Sequence, residues 1–180
     1  ILPKGVRMKY IFPKAPEREI TCYDSDSYPA WYDYYSDYVT EIEKVNQNHI
    51  VSMRKRIHKM IENERKKVGK YNHIFLAGYS QGCCMALEAG ITFPKELGGI
   101  IGFKGHIPEM YDKTYNQSIW VAHGRYDDTI DFNVAKESYD KFLNKDYDIT
   151  FIKQQCDHEM DTGIEYQMQM LKKWLKDMYL

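Results

Sequence analysis

The sequence predicts an α/β fold: a mainly parallel sheet with helices on both faces, in a single domain over residues 1–180. Three observations predict it. Short apolar runs alternate with helical patterns along the chain, the order that builds parallel sheets. The runs at 99–103 (GIIGF) and, after Ser118, 119–122 (IWVA) are near-continuously apolar, as strands covered on both faces are. A length of 180 residues with 43% hydrophobic and 28% charged residues suits one globular domain with a sizeable core.

The elements follow in order. Val6 to Phe12 reads as a strand ended by Pro13. Lys14 to Asp37 is rich in Pro, Asp, Ser and Tyr and reads as a long irregular segment, a type that often carries function. Ile42, Val45, Ile50, Met53, Ile57, Met60 and Ile61 recur at spacings near three and four and predict a helix. His73 to Ala77 is a short apolar strand stopped by Gly78, and a helix from Gln81 to Thr92 precedes Pro94. Gly99–Phe103 and Ser118–Ala122 are strands, Phe132–Leu143 a helix, and Asp148–Lys153 a strand by alternation. The tail from Gly163 to Met178 sets Ile164, Met168, Leu171, Leu175 and Met178 along one helical stripe, where the methionines read as core filler.

Composition excludes several function classes. The formal net charge is −1, which does not suggest nucleic acid or an acidic membrane as partner. The densest basic run, Arg54-Lys55-Arg56, falls in a helical pattern and reads as a solvated face. The four cysteines, Cys22, Cys83, Cys84 and Cys156, form no C-x-x-C pair, so neither a zinc site nor a redox motif is indicated. They read as reduced thiols of a cytoplasmic protein. No apolar run is long enough to span a bilayer, and no signal-peptide pattern is present. The first residue is Ile1 rather than Met, which leaves room for upstream residues.

The chemistry-bearing residues fall where the strands end, as they do in parallel sheets. Gly78-Tyr79-Ser80-Gln81-Gly82 follows a strand and opens a helix, the context of a nucleophile elbow. A tight turn there lifts the Ser80 hydroxyl above the sheet and aims the Gln81 backbone N–H, at a helix N-terminus, toward a developing oxyanion. A serine hydroxyl needs a neighbouring base. Of the six histidines, His49, His58 and His73 precede Ser80, and no suitable acid separates His106 or His123 from it. His158 remains, after the Asp148–Lys153 strand, and completes the chain order serine, acid, histidine. The acid belongs after the Ser118–Ala122 strand, in His123-Gly124-Arg125-Tyr126-Asp127-Asp128, with Asp127 preferred and Asp128 in reserve. It would fix the tautomer of His158 and stabilise its charged form.

This ordered set resembles the phospholipase/carboxylesterase family of α/β-hydrolases, which includes acyl-protein thioesterases. Three further stretches carry the likeness: Pro13-Lys14-Ala15-Pro16, similar to the family's P-x-A-P; Pro29-Ala30-Trp31-Tyr32-Asp33, similar to P-x-W-[FY]-D; and Gly105-His106-Ile107-Pro108, similar to G-x-L-P. The H-G-x-x-D pattern selects Asp127 as the acid. The resemblance implies a serine hydrolase of carboxylic esters or thioesters, working without metal or organic cofactor on an acylated protein, a small ester or a lysophospholipid. The alternatives are a lysophospholipase and a catalytically dead binding module of the same fold. Trp31, Pro29 and Ile107 are the implied substrate contacts, and the tyrosines of Lys14–Asp37 could line an acyl groove.

The chain also departs from the pattern. Cys156-Asp157 precede the histidine where glycine is frequent, Asp128 follows the acid where proline is common, and Lys104 stands in place of a small residue. The family's upstream H-G-x-G-D loop, source of a second oxyanion donor, has no counterpart here. The strand leading into that loop belongs between Val6–Phe12 and His73–Ala77. The resemblance therefore implies an N-terminally incomplete sheet, completed by upstream residues, by another chain, or by direct pairing of the two flanking strands.

Overall fold

A computed structural model describes residues 7–39, 45–108, 115–143 and 148–179. Its centre is a parallel sheet of four strands, β3 (Phe75–Tyr79), β4 (Gly99–Phe103), β5 (Ile119–Gly124) and β6 (Ile149–Gln154), hydrogen-bonded in that order. Near the N-terminus, β1 (Glu17–Glu19) and β2 (Ser27–Pro29) pair antiparallel as a small ribbon around a 3-10 turn at Thr21–Tyr23. The helices are α1 (Gln47–Val68), α2 (Gln81–Ile91), α3 (Phe132–Leu143) and α4 (Ile164–Tyr179).

Alternation along β4 and β5 sorts the core onto the two faces of the sheet. Ile100, Ile119 and Val121 pack with Cys83, Leu87 and Ile91 of α2 and with Val134, Tyr139 and Phe142 of α3. Ile101, Trp120 and Ala122 point the other way and pack with Leu171, Met168, Trp174 and Leu175 of α4. The sheet is thus covered on both faces, as the sequence predicts. Met168 fills core space as expected, whereas Met178 is exposed. Among the described residues no helix is long and apolar enough to cross a membrane.

Helix α1 begins at Asn46, whose side chain accepts the His49 N–H at 3.2 Å, and ends at Gly69, whose N–H caps Arg65 O at 2.8 Å. Arg65, Lys66 and Lys67 occupy its last turn, where cations suit the helix dipole. It packs on α2 through Ile50 and Met53 against Cys84 and Met85. Arg54 does not lie on a purely solvated face: it pairs at 3.0 Å with Glu88, a fully buried residue of α2. All four cysteines are free thiols.

Four expectations need correction. Residues 7–12 form no strand; Phe12 is 89% exposed, and Val6 lies outside the described residues. The physical reason is that a strand requires a ladder partner for its backbone groups. No described strand runs beside this segment, which is instead tethered to α1 by Lys9–Glu64 at 2.9 Å and by Arg56 on Lys14 O at 2.9 Å. Direct pairing of residues 7–12 with β3 is therefore not the arrangement found. The strand expected at His73–Ala77 is shifted forward: His73 sits in a 3-10 turn and β3 runs on through Gly78 to Tyr79. Part of the Lys14–Asp37 segment is ordered as the β1–β2 ribbon. Of the predicted α1 positions, Val45 precedes the helix and Ile42 lies outside the described residues.

Candidate active site

Strand β3 stops because Ser80 takes a left-handed φ of 52° with ψ −124°, a conformation non-glycine residues rarely adopt. The turn is tight enough that a Cβ at position 78 would lie 2.1 Å from Gly82 O, so only glycine fits there. Position 82 is different: a Cβ there would meet only the Trp31 indole nitrogen, at 3.8 Å. The elbow is fixed to its neighbour by the Ser80 N–H donating to Phe103 O at 2.9 Å.

The turn brings Ser80 Oγ to 2.9 Å from His158 Nε2. On the far side of the ring, His158 Nδ1 stands 2.9 Å from Asp127 Oδ2 and 3.0 Å from Oδ1. Asp127 leaves the end of β5, and its Oδ1 accepts the N–H groups of Ile130 at 2.7 Å and Thr129 at 3.1 Å. Burial raises the affinity of this carboxyl for a proton, but the His158 contact, the Ile130 amide and nearby His123 outweigh burial, and the net direction is down. Asp128 is exposed and accepts from the Thr129 hydroxyl at 3.4 Å.

Close approach of β5 to the histidine loop depends on Gly124. A Cβ there would lie 2.2 Å from Cys156 O. With hydrogen in its place, Arg125 N–H reaches Gln154 O at 2.7 Å and Tyr126 N–H reaches Cys156 O at 3.0 Å. The aspartate loop is also tied to the N-terminal segment, since Val39 N–H donates to Thr129 O at 2.8 Å and Asp131 N–H to Val39 O at 2.9 Å.

Gln81 opens α2, so its backbone N–H is among the first-turn amides without an intrahelical acceptor. Its side chain has a separate task. It accepts the Trp31 N–H and donates to Tyr32 O, both at 2.8 Å, and so holds the Pro29–Asp33 stretch against the elbow. Asp33 anchors the same stretch from the other side by accepting Thr21 N–H at 2.8 Å and its hydroxyl at 2.9 Å. Trp31 is half-buried and Pro29 exposed on the ribbon. Ile107 is only 2% exposed and packs in the core with Val134 and Tyr139, a placement that does not suit a substrate contact.

Three residues near the site make contacts that sequence reasoning did not anticipate. His123 is fully buried with Nε2 at 2.9 Å from Ile130 O and 3.3 Å from Asp127 Oδ2; burial lowers its pKa. The four-residue spacing of His123 and Asp127 was the available signal. Tyr79 donates its hydroxyl to His158 O at 2.7 Å. Lys104 is buried beneath the histidine loop. The remaining histidines serve elsewhere: His49 Nδ1 accepts the Asp33 N–H, His58 contacts Ala89 O, His73 lies in the 3-10 turn before β3, and His106 donates its backbone N–H to Cys84 Sγ.

Comparison with known proteins bears on the family and the fold. The phospholipase/carboxylesterase family model matches residues 4–178. The chain is 37% identical over 101 residues to acyl-protein thioesterase 1 of Schizosaccharomyces pombe, covering 56% of this chain and 44% of that relative. It is 32% identical over 149 residues to acyl-protein thioesterase 1 of Yarrowia lipolytica, covering 77% of this chain and 63% of the relative. It thus spans about half to two thirds of the length of these relatives. Among solved structures, Arabidopsis thaliana SOBER1 superposes with a TM-score of 0.83 at 20% identity, over 94% of this chain and 83% of that one. Zea mays acyl-protein thioesterase 2 gives 0.76 at 16%, over 92% and 79%. A sheet of this order and a family match along almost the whole chain lead to one conclusion: the chain belongs to the phospholipase/carboxylesterase family, with the α/β-hydrolase fold.

Proposed function

We propose that the protein hydrolyses carboxylic esters or thioesters through an acyl-enzyme on Ser80, with acylated proteins as the preferred substrate class. The observation that carries this reading is the unbroken line Ser80 Oγ–His158 Nε2, His158 Nδ1–Asp127, with contacts of 2.9 Å on both sides of the ring. A weak hydroxyl nucleophile needs a base within such reach, and the base needs a third group to hold its tautomer.

The proposed steps use these contacts. Ser80 Oγ attacks the acyl carbonyl carbon while its proton passes to His158 Nε2. Asp127, kept ionised, accepts the Nδ1–H and stabilises the imidazolium. The Gln81 N–H donates to the oxyanion of the tetrahedral intermediate. On collapse, the imidazolium gives its proton to the departing thiolate or alkoxide, leaving an acyl-serine. Water, deprotonated by the same imidazole, then attacks the acyl carbon; the acyl carbon–Oγ bond breaks, the imidazolium returns its proton to Ser80 Oγ, and the carboxylic acid leaves. Trp31, held beside the elbow by Gln81, is the side chain proposed to touch the acyl group. The acylated-protein preference is supported by the thioesterase relatives; the wider ester range is supported by relatives described as probable carboxylesterases from Oryza sativa and Arabidopsis thaliana.

The test is labelling with a fluorophosphonate followed by peptide mapping, together with turnover of a short p-nitrophenyl ester and an S-acylated peptide. Expected are a phosphonyl adduct on Ser80 and release of acid from both substrates. A protein that is neither labelled nor active on either substrate overturns the reading.

A further inference from the structure

We propose that Lys104 is a positioning residue: its buried ammonium clamps the loop carrying His158, and so holds the imidazole in line between Asp127 and Ser80. The proposal rests on the assignment of Ser80 as nucleophile and His158 as base.

Lys104 is the first residue after β4, the strand between the one that ends at Ser80 and the one that leads to Asp127. It is fully buried, and its backbone adopts a positive φ of 51° while its N–H donates to Ala122 O at 2.8 Å. Placed there, the side chain runs under the histidine loop. Its Nζ donates to Glu159 O, approaches Thr162 Oγ1 at 3.1 Å and Thr162 O at 3.4 Å. An ammonium has three N–H donors and no acceptor capacity, and here three oxygens face it.

The clamp extends past the lysine. Thr162 Oγ1 lies 2.6 Å from Asp157 Oδ1, which also accepts the Glu159 N–H at 3.0 Å. The residues on both sides of His158 are therefore held in one network whose cation is Lys104. The carbonyl of His158 is held separately, by the Tyr79 hydroxyl at 2.7 Å. Residues at the ends of two neighbouring strands thus grip two consecutive carbonyls of the loop.

Packing alone does not account for a charged group in this position. A buried ammonium loses its hydration, a cost that an apolar side chain of the same length would avoid. What the ammonium supplies is direction: three bonds to one loop, fixed relative to β4. The imidazole must meet oxygens on both sides at 2.9 Å, and displacement of a reacting group by about 1 Å costs on the order of a hundredfold in rate.

The experiment compares the protein with Lys104→Met, which keeps the stem and removes the donors, and with Leu175→Ala, which loosens the core under the same face of the sheet. Melting, amide hydrogen exchange, and kcat and KM on a p-nitrophenyl ester are measured for each. For Lys104→Met the expected result is faster exchange at residues 157–162 with β5 unchanged, and kcat lower by roughly 10- to 100-fold with KM little altered. Leu175→Ala should melt earlier yet keep kcat. The proposal is overturned if Lys104→Met leaves either loop exchange or kcat unchanged, or if Leu175→Ala loses kcat equally. Should Lys104→Met not fold, Thr162→Val removes one acceptor of the ammonium and the donor to Asp157 from a half-buried position. It should shift exchange and kcat the same way, and no shift in either overturns the clamp. A wild-type protein unlabelled at Ser80 would sink the hydrolase reading instead, while the exchange comparison would still decide the clamp.

Discussion

Ser80 sits at a left-handed φ with its hydroxyl 2.9 Å from His158 Nε2, and little of its side chain supports the core. Replacing it with Ala should abolish ester turnover, by several orders of magnitude. The melting temperature should change little, since one partly exposed hydrogen bond contributes about 1 kcal/mol. Comparable turnover by Ser80→Ala would move the nucleophile elsewhere. The two adjacent aspartates separate as clearly. Asp127→Asn should slow turnover by about four orders of magnitude, as loss of the orienting acid does in a serine triad. Asp128→Asn should be nearly neutral, because Asp128 is exposed and its contact to the Thr129 hydroxyl is a long 3.4 Å. Equal kinetic losses in the two variants would contradict the geometry. Asp127 also predicts an acid limit. Its folded pKa is depressed, so its stabilisation is complete above the ordinary aspartate range and is lost as pH falls through the lower folded value. The gap in melting temperature between wild type and Asp127→Asn should therefore close as pH drops below roughly 4, the pKa of an unperturbed aspartate. A gap that stays constant to lower pH would contradict the depressed value.

Among elements, the elbow between β3 and α2 shows most directly how local sterics make a site. The two glycines of Gly78-Tyr79-Ser80-Gln81-Gly82 look equivalent in sequence but not in space. A Cβ at 78 would stand 2.1 Å from backbone, whereas one at 82 would stand 3.8 Å from an indole nitrogen. Gly78→Ala should cost at least the roughly 1–3 kcal/mol of an overpacked core and lose activity, since the backbone must move. Gly82→Ala should fold normally and alter chiefly KM through Trp31. Melting curves and kinetics on both variants check the contrast, and equal destabilisation would overturn it. Element boundaries moved for physical reasons. His73 reads as strand by apolarity, yet it closes a 3-10 turn. Gly78 reads as a stop, yet β3 continues until the positive φ of Ser80 ends it.

For the whole molecule, β3 is the terminal strand of the sheet among the described residues, and Ala77 at its middle is exposed. Water can therefore satisfy the outer ladder groups that a buried gap would have left unpaired. An edge strand protects only the amides it commits to its one neighbour. Hydrogen exchange should thus show alternating fast and slow amides along β3, against uniform protection in β5, which is paired on both sides. Protection in β3 as uniform as in β5 would mean that another strand covers its outer edge.

The sequence by itself determined the layered α/β class, because apolar periodicity records which face of each strand or helix meets the core. For the candidate site it singled out Ser80 and His158 and preferred Asp127 over Asp128, because a nucleophile elbow and the serine, acid, histidine order are properties of chain order and local turn. Tertiary structure alone decided what chain order cannot encode. Residues 7–12 have strand composition but no strand beside them among the described residues, and they have no regular structure. Ile107 belongs to a resembling motif, yet the packing of α3 buries it. Lys104, a basic residue expected in water, lies in the core because the histidine loop, some fifty residues later in the chain, folds over it and supplies the acceptors for its three donors.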